Sequence, residues 1–237
     1  MSQGAVKAKA KPKKQKEKVY APGTIGVLAD WTGRYTDFTK AMVDVTKPSG
    51  TKIVWAYGSL QSTACNNIIE NFEGDWLWIM GDDHVFRPDM LLRLLDHDVD
   101  VVVPMCVQKH PPFLPVIYDS LGPDGKFNLI DLRNKEEKLY EVYAAGSAGM
   151  LIKRHVLEAM EKPIFEFGKI GDENVGEDVM FCHKVQEAGF KIYADLSLKL
   201  GHLRPVTLTS EMKDGKWGVV FDFDEKGAIF LSGEQQE

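Results

Sequence analysis

The chain has 237 residues, 44% of them hydrophobic, and a formal net charge of −6, which suits one globular α/β domain with enough apolar residues to fill a core. No apolar run approaches the ~18 residues of a membrane span, and the first 18 residues lack the apolar stretch of a secretory signal, so the expected location is the cytoplasm. Seven lysines (Lys7, Lys9, Lys11, Lys13, Lys14, Lys16, Lys18) against Glu17 give residues 1–18 a charge of +6 and leave −12 for the rest, an acidic body that argues against a broad nucleic-acid groove.

Residues 1–18 are rich in Lys, Ala and Gln and are expected to be disordered. They are either a solubilising appendage or an electrostatic contact for a polyanion. Strand and helix then alternate: strand Thr24–Asp30, helix Tyr35–Thr46, strand Lys52–Tyr57, helix Ser62–Phe72, strand Trp76–Met80, helix Pro88–His97 and strand Asp100–Pro104. This order predicts a mostly parallel sheet with helices on both faces, and the apolar runs fit strands covered on both sides. The Trp76/Trp78 alternation is expected to pack the sheet against its two helix layers.

Beyond Met105 the pattern is less regular. Cys106–Pro115 is a Pro-rich loop, and Val116–Tyr118 with Lys126–Leu132 predicts a hairpin around Gly122-Pro123-Asp124-Gly125. Leu139–Ala145 and Met150–Ile152 read as strands flanking Gly146-Ser147-Ala148-Gly149, followed by a short helix, Arg154–Met160. A Gly-rich acidic loop, 168–176, leads into helix Glu177–Ala188, which Gly189 ends in the left-handed conformation. Strand Lys191–Ala194 and a terminal hairpin, Trp217–Asp222 with Ala228–Leu231, complete the chain. Cys65, Cys106 and Cys182 lie in apolar patterns without CxxC spacing, and are expected to be buried free thiols, neither disulfides nor zinc ligands.

Three polar clusters stand out in this frame. The apolar run Trp76–Met80 ends in Gly81-Asp82-Asp83-His84, and in an open α/β sheet ligands bind beyond the carboxyl ends of the strands. Downstream come Gly176-Glu177-Asp178 at a helix start and Gly201-His202 after the last sheet strand. Asp30, followed by Trp31-Thr32-Gly33, ends the first strand in a position to meet a nucleotide base or ribose; the plainer reading is a loop carboxylate. His97, His155 and His183 read as helix-surface residues and His110 as an exposed loop histidine.

Their order resembles a family. The apolar strand with Asp-Asp-His and Phe86-x-Pro88-Asp89-x-Leu91, then Gly146–Arg154 (GSAGMLIKR), Gly176–Lys184 (GEDVMFCHK), Ala188–Asp195 (AGFKIYAD) and Gly201-His202, is similar to GT-A-fold glycosyltransferases. The likeness is to family 2-like enzymes of small bacterial and bacteriophage type, with some similarity to the Asp-x-His polypeptide GalNAc-transferases. It covers about residues 24–204 and implies a single GT-A domain over 19–237. In that domain 24–105 is the nucleotide-sugar half, 106–204 the acceptor half, and 205–237 a C-terminal hairpin.

The resemblance implies a divalent cation, Mn²⁺ or Mg²⁺, held against the diphosphate of a UDP- or GDP-linked sugar. Its ligands fall on Asp83 and His202 with Asp82 or His84, in either of two registers: Asp82 with Asp83, or Asp82-x-His84. It places Glu177 and Asp178 at the acceptor, with Asp178 as base for an inverting transfer, and it places Asp30, Asn67, Asp82 and Gly149 at the donor. Where related enzymes have Arg-Asn, this chain has Asn66-Asn67. Hard carboxylates suit either ion, and an imidazole ligand favours Mn²⁺. The acceptor is open among modified DNA, protein and saccharide. Runner-up readings are a retaining transferase, a nucleotidyltransferase of similar plan, and a noncatalytic nucleotide- or carbohydrate-binding module.

Overall fold

A computed structural model describes residues 18–31, 33–122 and 126–232. The first half runs β1 (Thr24–Ala29), α1 (Thr36–Asp44), β2 (Lys52–Tyr57), α2 (Gln61–Glu70), β3 (Trp76–Gly81), the two-residue β4 (His84–Val85), α3 (Met90–Asp96) and β5 (Val101–Met105). The second half runs β6 (Ile117–Leu121), β7 (Phe127–Leu129), β8 (Leu139–Val142), β9 (Ala144–Ala145), β10 (Leu151–Lys153) and α4 (Arg154–Glu158). It continues through β11 (Gly168–Ile170), β12 (Glu173–Val175), α5 (Glu177–Glu187), β13 (Ile192–Lys199), β14 (Gly201–His202), β15 (Thr207–Lys213), β16 (Lys216–Asp222) and β17 (Ala228–Ser232).

The central sheet has seven strands in the order β2-β1-β3-β10-β5-β13-β8. Five run one way, while β10, between β3 and β5, and β8, on the edge, run against them. The expected sheet is therefore mixed. Apolar periodicity marked residues 150–152 as a strand, but periodicity carries no direction, and the excursion from Cys106 to Gly149 brings the chain back reversed.

Helices cover both faces. Leu77 and Ile79 point to the core under α2, α4 and α5, whereas Trp76, Trp78 and Met80 point to the core under α1 and α3. The two tryptophans thus share one face, correcting the expectation that they serve both layers, because residues two apart on a strand project the same way. Each buries its indole with its N–H bonded, Trp76 to the Ala21 carbonyl and Trp78 to that of Gly149, both at 2.9 Å. A large apolar side chain so buried contributes ~1.5–3 kcal/mol relative to exposure.

Several expectations shift at their edges. Lys18, assigned to the tail, pairs with Asp96 at 2.6 Å; residues 1–17 lie outside the described residues, as do Thr32 and the Pro123–Gly125 turn. The 168–176 loop is a hairpin, β11 with β12, turned at Gly171, whose φ is +61°. The segment 139–145 splits at Tyr143, with β8 in the main sheet and β9 paired to β6. The Arg154–Met160 helix stops at Glu158, and β13 extends to Lys199. The terminal hairpin gains a third strand, β15, exposed along its whole length. Among the described residues, no helix is long and apolar enough to cross a membrane.

Candidate active site and metal centre

A cleft of about 640 Å³ opens at the carboxyl ends of β1, β3 and β5. Each of these strands ends in an apolar run, and its first residue beyond, Asp30, Asp82 or Cys106, faces the cleft. Asp82 ties two strand ends together: its backbone N–H donates to the Leu28 carbonyl at 3.0 Å and its Oδ2 accepts from the Asp30 N–H at 2.9 Å. Burial raises the Asp82 carboxyl above its usual range. Trp31 lies across Gly58, where a Cβ would meet the indole at 1.2 Å, and stacks on Tyr57.

His84 and His202 come together because β4 and β14 form a two-residue antiparallel ladder in which they are direct partners. Their rings stack at 4.5 Å. Asp83 sits between them, Oδ1 2.9 Å from His84 Nδ1 and Oδ2 3.3 Å from His202 Nε2, while Lys109 Nζ lies 2.5 Å from the same Oδ2. Burial alone would raise the Asp83 carboxyl, but hydrogen bonds from His202, His84 and Lys109 outweigh it and hold the group far below the usual carboxylate range. Burial acts to lower His202, yet its bond to Asp83 prevails and lifts it to about 10.

The ring nitrogens are anchored in a way that suits a cation. His202 Nδ1 lies 2.9 Å from the Val107 carbonyl while its Nε2 faces Asp83; His84 Nδ1 lies 3.2 Å from the Gly81 carbonyl and 2.9 Å from Asp83 Oδ1, so a proton on that nitrogen leaves the His84 Nε2 as a free donor. His84 is only 5% exposed, and its Nε2 has no hydrogen-bond partner among the described residues. A buried, unpaired imidazole nitrogen beside an ionised carboxylate and a second imidazole fits a divalent ion. Such an ion must displace the proton that His202 otherwise shares with Asp83.

Cys106 has the burial expected of it. It is a buried free thiol, as are Cys65 and Cys182, yet it stands within ligand reach of His84 and His202, the three donor atoms all lying within 4.8 Å of one another. Burial pushes this thiol up, and the two imidazoles more than reverse that, bringing it to about 7.

The Gly146–Ala148 turn and Asp178 of α5 also line the cleft. Gly176 caps α5, and Glu177 and Asp178 occupy its first turn, where acids suit the helix dipole. Asp178 lines the cleft, its Oδ1 accepting from the Val179 N–H at 2.8 Å. Burial raises its carboxyl to about 6; that hydrogen bond opposes the rise and the charge of Glu177 adds to it. Gln61 donates to Ser147 Oγ at 2.8 Å across the cleft wall.

Asp30, Asp82, Asp83, His84, Asp178 and His202 therefore share one cleft. The other sequence candidates do not line it. Glu177 is buried beside Asp178. Asn67 is exposed on α2, its carbonyl accepting from the Asn71 side chain at 2.8 Å, and its neighbour Asn66 instead holds the backbone of Ile164 and Phe165. Gly149, at φ +70°, turns its carbonyl to Trp78, and a Cβ there would meet Pro104 at 2.7 Å. His97, His155 and His183 pair with Asp195, Asp100 and Glu187 away from the cleft. Lys109 and Cys106 were missed as site residues; only the rule that the first residue past a parallel strand faces the crevice would have marked Cys106.

No protein-family model and no curated protein matches the chain. Among solved structures, that of GalNAc-T7 with UDP, GalNAc and Mn²⁺ aligns with a TM-score of 0.51 at 10% identity, over 76% of this chain and 44% of that one. A197 from STIV aligns with a TM-score of 0.49 at 17% identity, over 90% of this chain and 96% of that one. The fold is GT-A-like. The chain spans less than half the length of the GalNAc-T7 chain.

Proposed function

We propose that this protein is a metal-dependent glycosyltransferase that moves a sugar from a nucleotide-sugar donor to a hydroxyl acceptor with inversion. The observation that carries the reading is the convergence, in one cleft, of an ionised Asp83 between two histidines and of Asp178, whose carboxyl is raised to about 6. The GT-A-like fold shared with GalNAc-T7, a protein solved with UDP and Mn²⁺, supports it.

In this reading Asp83, His84 and His202 hold the cation, which when bound neutralises charge growing on the leaving diphosphate. Two imidazoles in the set favour Mn²⁺ over Mg²⁺. Asp30 and Asp82 meet the ribose or base beside Trp31. Lys109, on Asp83 Oδ2 and lining the cleft, would be within the site to meet the diphosphate. Asp178 takes the proton of the acceptor hydroxyl, a role its raised basicity suits near neutral pH, and Glu177 tunes it. Residues 19–237 act as one transferase domain, with 1–18 as an electrostatic contact for a polyanionic acceptor.

Incubating the protein with Mn²⁺ and a panel of UDP- and GDP-sugars tests the reading. Release of nucleoside diphosphate, abolished by chelator, is expected. Full turnover in excess chelator would remove the metal, and pyrophosphate release from nucleoside triphosphates would make the protein a nucleotidyltransferase.

A further inference from the structure

Cys106 is the first residue after β5, buried, with Sγ 4.0 Å from His202 Nδ1 and its thiol turned to both imidazoles. We propose that Cys106 is a thiolate ligand of the metal assigned above to Asp83, His84 and His202, and that the centre therefore selects a zinc-like ion over Mg²⁺. The inference rests on that metal site and adds a ligand to it.

The spacing supports this. Tetrahedral zinc holds nitrogen at ~2.0–2.1 Å and sulfur at ~2.3 Å, which sets the donors about 3.6 Å apart. The donors of His84, Cys106 and His202 already lie within 4.8 Å of one another, so side-chain movements of about 1 Å close the set. The surroundings are also fixed in advance. Gly81 holds the His84 Nδ1 by its carbonyl, and the Val107 carbonyl reaches the His202 Nδ1 that lies 4.0 Å from Cys106 Sγ; Val107 is the residue after Cys106, so one backbone turn sets both a ring and the thiol. The unpaired Nε2 of His84, in a residue 5% exposed, is the second sign of a missing partner at this spot.

The chemistry decides the ion. Thiolate and imidazole suit Zn²⁺ and Co²⁺, whereas Mg²⁺ requires oxygen ligands in octahedral array and gives up its waters reluctantly. The Cys106 thiol contacts the Val107 carbonyl at 3.6 Å and His202 Nδ1 at 4.0 Å, weak contacts that ligation would replace. Cys65 and Cys182 are buried in the α2 and α5 core, with Cys182 bonded to the Ala145 carbonyl at 3.4 Å, so a sulfur signal from the metal would report Cys106.

Co²⁺ titration of the full chain, followed by absorption spectroscopy, tests the proposal without reference to turnover. The parent should develop a near-ultraviolet sulfur-to-cobalt charge-transfer band together with visible ligand-field bands, displaced by Zn²⁺ and not by excess Mg²⁺. Cys106→Ser should lose the charge-transfer band, keep the ligand-field bands, and bind Co²⁺ ~10–100-fold more weakly, as expected for lost ligand support; Cys106→Ala provides the same comparison if the serine variant does not fold. A charge-transfer band undiminished in the variant overturns the proposal, as does its absence from a parent whose ligand-field bands vanish in His202→Ala. In that last case the metal site survives without Cys106. Absence of any His202-dependent Co²⁺ signal would instead end the metal reading itself.

Discussion

Asp83 after β3 and Asp178 in the first turn of α5 line one cleft and are driven in opposite directions. Asp83 has His84, His202 and Lys109 on its oxygens and stays ionised despite burial. Asp178 is likewise half-buried, but its hydrogen-bond partner is the Val179 N–H and its charged neighbour is another acid, so desolvation raises its carboxyl to about 6. Burial is common to both; the sign of the neighbouring charge decides the outcome. One site can thus hold a permanent anion for a cation and a carboxylate basic enough to take a proton, the division of roles that separated pKa values mark.

The comparison breaks most visibly at Asp83. Asp83→Ala should cut donor turnover on the order of 10³-fold, the scale of losing a main electrostatic stabiliser, with Mn²⁺ affinity lost and the unfolding temperature retained. Parent-like Mn²⁺ binding by this variant, measured calorimetrically, would move the anion role to Asp82. Next in size is Asp178→Asn, which keeps shape but cannot accept a proton. Transfer should fall ~10²–10⁴-fold while donor and metal affinity hold; near-parental transfer would leave Asp178 without a role as base and favour a retaining reaction.

The acid limb of kcat sharpens the same contrast. Burial disfavours the Asp178 carboxylate, so its proton leaves only as pH rises through about 6. Below that value the base is protonated and the rate should drop ~10-fold per pH unit, with Asp178→Asn losing the limb. A limb in the range of an ordinary carboxylate would show that Asp178 is not held as described. Smallest is Glu177→Gln: removing a like charge should shift the limb to lower pH and change the rate at neutral pH by less than about 10-fold. A loss matching that of Asp178→Asn would mean that Glu177 itself takes the proton.

Most elements of the first half lie within two residues of the bounds the sequence predicts, because β1, β2, β3 and β5 are apolar runs and α1–α3 have helical periodicity. Those signals are local. The end of β3 at Gly81-Asp82-Asp83-His84 and the start of α5 at Glu177-Asp178 were legible as strand-end and helix-start clusters for the same reason. The reversed direction of β10, the common face of Trp76 and Trp78, the hairpin at 168–175 and the third strand of the C-terminal sheet were missed or misread. In the exposed β15, TLTSEMK, little apolar alternation exists to be read.

What the sequence by itself determined, then, is the α/β class and the residue types that carry charge at strand and helix ends, since periodicity and end chemistry are written in neighbouring positions. Which of those residues meet was decided only by the tertiary structure. The β4–β14 ladder sets His202 against His84, 118 positions away in the chain by their numbers. The turn after β5 brings Lys109 to Asp83 and Cys106 to His84 and His202, and the packing of α5 half-buries Asp178. The opposed pKa shifts arise from these encounters, because desolvation and the charge of a neighbour depend on distance in space and not on separation along the chain.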